Sequence, residues 1–249
     1  LYKGCIKMSL IFKQLFENES CTYTYILAES ETREAAIIDA VDIMMERDTA
    51  LLKELNLDLK FIIETHIHAD HITSACPLKK YYPKAKIVMG MENIDAEACS
   101  DIMVNEGHVL RIGNYEIKAI ETPGHTLGCM SYLIDNKLFT GDSLFIRSTG
   151  RCDFQGGSAK SLYKSIHKLF ELPDSTEVYP AHDYNGFSVS TIGEEKKFNS
   201  MIQETFDQKT FIKNVNSLKL DPPKKIKASI PANQSCGLIS AQILKSPYK

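Results

Sequence analysis

The sequence predicts an α/β fold in which two β-rich halves are each followed by helices, an order that would fit an αββα sandwich. Strand-like segments with period-two alternation fill residues 10–39 and 109–141, and helix-like 3.6-residue periodicity closes each half. In addition, four polar motifs stand directly behind short apolar runs, the position at which open α/β sheets present their chemistry.

The elements follow in order. LIFKQLF at 10–16, TYTYILAE at 22–29 and AAIID at 35–39 read as an opening meander. IMMERDTALLKELN at 43–56 places Met44, Leu51, Leu52 and Leu55 near one helix face. FIIET at 61–65 is a nearly continuous apolar run, the mark of a strand buried on both faces. A helix is expected from near His71 through Tyr81, where Pro83 halts it. KIVMG at 86–90 is a further strand, then a polar stretch. VLRIG, YEIKAIET, CMSYLID and KLFTG supply four more strands between 109 and 141. A helix over about 158–170 and a last buried strand, EVYPAH at 177–182, complete the second half. Helical patterns near 194–202 and 207–218 follow, and Pro222-Pro223 opens an extended tail.

The 249 residues suit one domain, taken as 8–249 with its C-terminal helical and extended tail. LYKGCIK at 1–7 reads as an upstream extension, an expression remnant or the stub of a targeting segment. Lys+Arg 29 against Asp+Glu 32 gives a net charge of -3 without a long basic block, which excludes the electrostatic footprint of a nucleic-acid binder. No apolar run approaches the ~20 residues of a membrane span, and no secretory core is evident. Seven cysteines, an odd number without a CxxC pair, argue against a disulfide framework and a thiolate zinc site. Mostly free thiols and a reducing compartment are expected, the cytoplasm or alternatively the mitochondrial matrix.

Four motifs end predicted strands, THIHADH at 65–71, TPGHT at 122–126, TGDSLF at 140–145 and YPAHDY at 179–184, and three of them hold five of the seven histidines while TGDSLF supplies Asp142. In HxHxDH an extended backbone can turn His66 and His68 toward one point, while Asp70 and His71 face a second point nearby. Asp142, with two carboxylate oxygens, can touch both. The spacing accommodates one metal ion or two. His108 and His167 lie outside the motifs and carry no assigned role.

With all four motifs in order, the chain resembles the metallo-β-lactamase superfamily. That resemblance implies the αββα layering. In the superfamily's dinuclear pattern His66, His68 and His125 would hold one metal, Asp70, His71 and His182 a second, and Asp142 would bridge them. The fold does not fix the reaction. GRCDFQGGS at 150–158, FENESCTYTYILA at 16–28 and the stretch from AHDYNGFSVST to IPANQSCG closely resemble persulfide dioxygenases of the ethylmalonic encephalopathy protein type.

This second resemblance implies a single Fe(II) bound by His66, His125 and Asp142, a two-histidine, one-carboxylate set suited to non-heme iron. His68, Asp70, His71 and His182 would then orient the ligands. It also implies oxidation of glutathione persulfide by O2 to sulfite and glutathione. Arg151 would meet a glutathione carboxylate as a bidentate fork, with Tyr184 adding a phenol hydrogen bond. By composition alone GRCDFQGGS is a glycine-rich turn holding an ordinary Arg151–Asp153 ion pair. The sequence departs from the family at Ile67, where cysteine is frequent, Leu127, where proline is typical, and Cys152, where threonine is more usual. Cys152 is a thiol expected to bear on specificity or oxidation sensitivity.

All seven dinuclear residues are present, so a glyoxalase II-like Zn(II) hydrolase of glutathione thioesters is the alternative. A sulfur carrier with a vestigial site is the non-enzymatic reading, which the intact ligand motifs oppose. A homodimer and a separate rhodanese-type sulfur transferase are the macromolecular partners left open.

Overall fold

The computed structural model describes residues 9–238. Residues 1–7 and the end of the tail lie outside them. Two six-stranded mixed sheets face each other. The first runs β1 (Leu10–Glu17), β2 (Thr22–Glu29), β3 (Glu34–Ile38), β4 (Asp58–Ile63), β5 (Lys86–Gly90) and β6 (Ile102–Val104), in that spatial order. The second comprises β7 (Val109–Ile112), β8 (Tyr115–Glu121), β9 (Met130–Ile134), β10 (Lys137–Gly141), β11 (Glu177–Pro180) and the two-residue edge strand β12 (Ser190–Thr191). The hairpin-connected strands β1–β3 and β7–β10 pair antiparallel, whereas β3–β6 and β10–β11 pair parallel.

Strand alternation sorts the core into layers, because successive side chains leave opposite faces. Tyr25 and Leu27 join Tyr132, Phe139 and Ile117 in the layer between the sheets. Their neighbours Ile26 and Ala28 point outward, onto Leu52 of α1 (Met45–Glu54) and Leu78 of α2 (Ala75–Tyr81). On the far side, Leu138 and Val178 pack with Leu162, Ile166 and Leu169 of α3 (Ala159–Leu169) and with Phe211 of α5 (Gln208–Asn216). Ile192 of α4 (Ile192–Phe198) completes that outer layer. The molecule is therefore an αββα sandwich, as the sequence implies.

Three local expectations change. The helix predicted near His71 begins only at Ala75. Residues 72–74 are fastened to the chain after β3 instead: Asp42 N–H donates to Ile72 O, and Ser74 N–H to Ala40 O. Those bonds, with the Val41–Thr73 bridge, hold a non-helical stretch that helical periodicity cannot anticipate. The polar stretch after β5 contains a 3-10 segment, Ile94–Cys99, and the short edge strand β6. The tail after Pro222-Pro223 is not wholly extended, because Ile226–Asn233 forms α6 with Pro231 inside it. An interior proline hides such a helix from its sequence pattern, since it removes a backbone donor.

Among the described residues one disulfide, Cys99–Cys236, joins positions 137 apart, while Cys21, Cys76, Cys129 and Cys152 are free thiols. Mostly free cysteines were expected, but this pair was not. Among the described residues no helix is long and apolar enough to cross a membrane.

Candidate metal centre

Every predicted ligand follows the C-terminal end of a strand. β4 delivers residues 64–71, β8 delivers His125, β10 delivers Asp142 and β11 delivers His182. His66, His125 and Asp142 come together, with one potential ligand atom from each lying within 4.8 Å of the others. The His66 and His125 rings stand nearly perpendicular, 88°, with centroids 5.0 Å apart.

Neighbouring groups orient both rings. His125 Nδ1 donates to the Arg151 carbonyl at 2.6 Å, which leaves Nε2 facing Asp142 Oδ2 at 3.4 Å. His66 Nδ1 lies 2.9 Å from Thr65 Oγ1. That hydroxyl donates onward to Asp39 Oδ2 at 2.9 Å, while the Thr65 N–H donates to Asp39 Oδ1 at 2.8 Å. His66 is thus held by a hydroxyl–carboxylate chain of the kind that fixes tautomer and ring direction in metal sites. Burial, together with His68 and His125 nearby, drives the His66 pKa well below its usual value and keeps the ring a neutral donor.

His68 takes a different course. Its Nε2 lies 3.2 Å from Asp39 Oδ1 and 3.5 Å from Glu64 Oε2. Burial opposes its charge, but those two carboxylates win and raise its pKa. Glu64 is itself raised, by burial first, with His68 opposing. Thr73 Oγ1 donates to Glu64 Oε1 and anchors that carboxylate.

The remaining three surround Thr22. His71 Nδ1 lies 3.0 Å from Asp70 Oδ2 and 3.3 Å from Thr22 Oγ1. His182 Nδ1 contacts the Cys21 carbonyl and Thr22 Oγ1, both at 3.3 Å. Its Nε2 sits 3.5 Å from Asp142 Oδ1 and 3.6 Å from Asp70 Oδ2. Burial works against charge on His182, yet Asp142 and Asp70 raise its pKa overall. Desolvation also works against charge on the partly exposed Asp70, yet His71 and His182 outweigh it and hold the carboxyl well below the usual range. His68, Asp70 and His71 form a second group whose potential ligand atoms converge within 4.8 Å.

The residues fit a metal ion. Asp142 Oδ1 and His71 Nε2 are buried without a hydrogen-bond partner among the described atoms, a costly state that a cation relieves. The donor set of imidazoles and carboxylates is that of a transition metal.

A cavity of about 530 Å³ opens beside Asp142 and His125. Phe145, Phe154, Tyr184, Leu218 and Leu220 make much of its wall apolar. Tyr184 is 66% exposed at its rim, stacked at 13° on His182. Arg151 lines the wall, but its fork is engaged: Nε and Nη2 donate to both Asp153 oxygens, and Nη1 and Nη2 to the carbonyls of Asp221 and Leu220. The ion pair that composition suggests is therefore formed, and it braces the wall at 220–221. The same loop touches the metal motif twice, since Gln155 Nε2 donates to Ile67 O at 2.9 Å and the Arg151 carbonyl holds His125. The Cys152 thiol is pushed up to about 12, by burial first and then by Cys129 and Asp153. That keeps it protonated at neutral pH and lowers its reactivity.

Sequence reasoning passed over Asp39, Thr65 and Asn233. Asp39 ends an apolar strand, the same signal that marks Asp142. Asn233 lies in IPANQSCG, a motif noticed only for its likeness.

The sandwich and its strand-end cluster of histidines and carboxylates define a metal-binding αββα protein. The pattern of the metallo-beta-lactamase superfamily matches residues 104–182. The mouse mitochondrial persulfide dioxygenase ETHE1 is 42% identical over 232 residues, covering 92% of this chain and 89% of the relative. Glyoxylase B2 of Dictyostelium discoideum is 32% identical, covering 89% of each chain. Among solved structures, ETHE1 from Myxococcus xanthus superposes with a TM-score of 0.88 at 41% identity, covering 92% of this chain and all of that one (100%). The chain belongs to the persulfide dioxygenase family of the metallo-β-lactamase superfamily.

Proposed function

We propose that this chain is an enzyme, a persulfide dioxygenase that oxidises glutathione persulfide with O2 and water to sulfite, glutathione and two protons. We read its metal as one Fe(II) per chain, held by His66, His125 and Asp142. The observation that carries this reading is the convergence of two imidazoles and one carboxylate within 4.8 Å, while His68 is drawn off to Asp39 and Glu64. Likeness to ETHE1 across 92% of the chain supports the reaction.

Held by His66, His125 and Asp142, Fe(II) would supply the redox chemistry with O2, for which a set of two histidines and one carboxylate is suited. The chain's own residues supply orientation. Thr65 and the Arg151 carbonyl fix the two imidazoles, and the apolar wall of Phe145, Phe154 and Leu220 limits water around the sulfur. Arg151, held by Asp153, shapes the side where the glutathione arm would lie, and Tyr184 offers its phenol from the rim.

The second trio, His68, Asp70 and His71, favours one competing reading, a dinuclear Zn(II) hydrolase of glutathione thioesters. Anaerobic reconstitution with Fe(II) or Zn(II) separates the two, followed by oxygen-electrode assays with glutathione persulfide and hydrolysis assays with S-lactoylglutathione. O2 uptake with sulfite release only in the iron form is expected. Thioester cleavage without O2 uptake would sink the dioxygenase reading.

A separate rhodanese-type sulfur transferase as persulfide supplier, a homodimeric assembly and a cytoplasmic site, or the mitochondrial matrix, complete the proposal. Pull-down, light scattering and cell fractionation test them in turn.

A further inference from the structure

IPANQSCG takes no part in the chemistry above, yet it packs on the loop that carries His66. Asn233, at the end of α6, is 2% exposed. Its Nδ2 donates to the carbonyls of His68 and His71, both at 2.8 Å, and its Oδ1 accepts the Thr73 N–H at 2.9 Å. One side chain thereby satisfies three backbone groups that an irregular, buried loop cannot satisfy by itself. Two further contacts join the same segments. The Cys236 carbonyl accepts the Cys76 N–H at 2.8 Å. Gly237, at φ 85, lies so close that a Cβ there would stand 1.9 Å from the Thr73 carbonyl oxygen.

α6 does not hold itself in place. Eight residues with an internal proline make a marginal helix, dependent on tertiary contacts. The covalent contact is the Cys99–Cys236 disulfide, which ties the end of the helix to the 3-10 segment before β6. Where thiols are kept reduced, the disulfides that do form are usually transient, catalytic or redox-sensing.

We infer that Asn233 is a positioning residue of the metal loop and that the Cys99–Cys236 bond holds it there, so that metal retention depends on the oxidation state of this pair. The inference rests on the reading of His66 as a ligand. A low-molecular-weight thiol, the class that includes glutathione, reverses the lock. Its thiolate attacks Cys99 Sγ, on the more exposed partner, and the S–S bond breaks as Cys236 leaves and takes a proton. A second thiolate attacks the small thiol's sulfur in the mixed disulfide and releases the Cys99 thiol. Two electrons pass from two thiols to the protein, giving two cysteine thiols and one small disulfide.

The test uses the full chain, oxidised or reduced with a phosphine and desalted, titrated anaerobically with Fe(II) against a chelator. Hydrogen exchange at the Thr73 and Cys76 amides is followed alongside. Reduction, or Cys99→Ser, is expected to weaken metal retention about 10-fold and to speed exchange at both amides, whereas Asn233→Ala weakens it roughly 10–100-fold. Adding Cys99→Ser to Asn233→Ala should cost nothing more, because the bond acts through Asn233. Cys99→Ser removes no buried hydrogen bond of the loop and carries the test if Asn233→Ala fails to fold. Equal metal retention and equal amide protection in the oxidised, reduced and Cys99→Ser chains overturns the inference. Wild-type chain that retains no metal overturns the ligand reading as well.

Discussion

Gly150→Ala tests how tightly the GRCDFQGGS loop governs the metal. Gly150 donates its N–H to the Asp142 carbonyl at 3.1 Å, and a Cβ at this position would lie 2.1 Å from that same oxygen. A carbon and a carbonyl oxygen normally approach no closer than about 3.3 Å, so the two strands of backbone must part by about 1.2 Å. The same Cβ would stand 3.1 Å from His125 Nδ1, and the next residue, Arg151, supplies the carbonyl that holds this nitrogen. Asp142 and His125 therefore move together while His66, on the other sheet, stays. Misplacement of about 1 Å costs on the order of 100-fold in rate. Iron affinity should fall by roughly 10–100-fold, as when outer partners of ligands are lost. Overpacking costs about 1–3 kcal/mol, which a chain of this size survives with a melting point lower by roughly 2–12 °C. Iron content after anaerobic reconstitution, O2 uptake at 25 °C and the melting curve of the metal-free chain provide the readouts. A Gly150→Ala chain with a lowered melting point but wild-type iron content and kcat would refute the reasoning.

Three other outcomes are expected. Asp142→Ala should reduce iron binding to background whereas His182→Ala keeps most of it, measured as metal per chain; equal loss in both would indicate a coupled dinuclear site. Arg151→Lys cannot reproduce the fork on Asp153 and the carbonyls of Leu220 and Asp221, so KM for glutathione persulfide should rise roughly tenfold, the worth of one charge-assisted hydrogen bond, with kcat nearly unchanged. A larger fall in kcat than rise in KM would contradict a binding-wall role. The Cys152 thiol, pushed up to about 12, stays protonated below that pH, so its alkylation should quicken tenfold per pH unit up to there. At pH 8 it should lag the unfolded chain on the order of a thousandfold, given the ordinary thiol near 8.5; peptide mass spectrometry after timed iodoacetamide exposure reads the rate, and prompt labelling at pH 8 would show the thiol to be less shielded.

The strands and the positions of the chemistry were legible because both are local properties. Alternation in TYTYILAE tells which of its side chains face the other sheet, and an apolar run ending in a histidine or aspartate marks a strand end whatever it pairs with. The limits of that legibility appear where distant segments meet. The helix expected at His71 is delayed to Ala75 because Ile72 and Ser74 bond to residues 42 and 40, and α6 forms despite Pro231 because it packs on the metal loop.

By itself, the sequence determined which residue types were available to a metal and that they would gather at strand ends of an αββα sandwich. Imidazoles and carboxylates at that spacing have little other use. Only the tertiary structure decided what each faces: His68 toward Asp39 and Glu64, Arg151 toward Asp153, and Asn233 onto the loop from 160 residues away, with Cys99 and Cys236 joined behind it. Such pairings arise from the packing of one layer against another, and spacing along the chain carries no record of them.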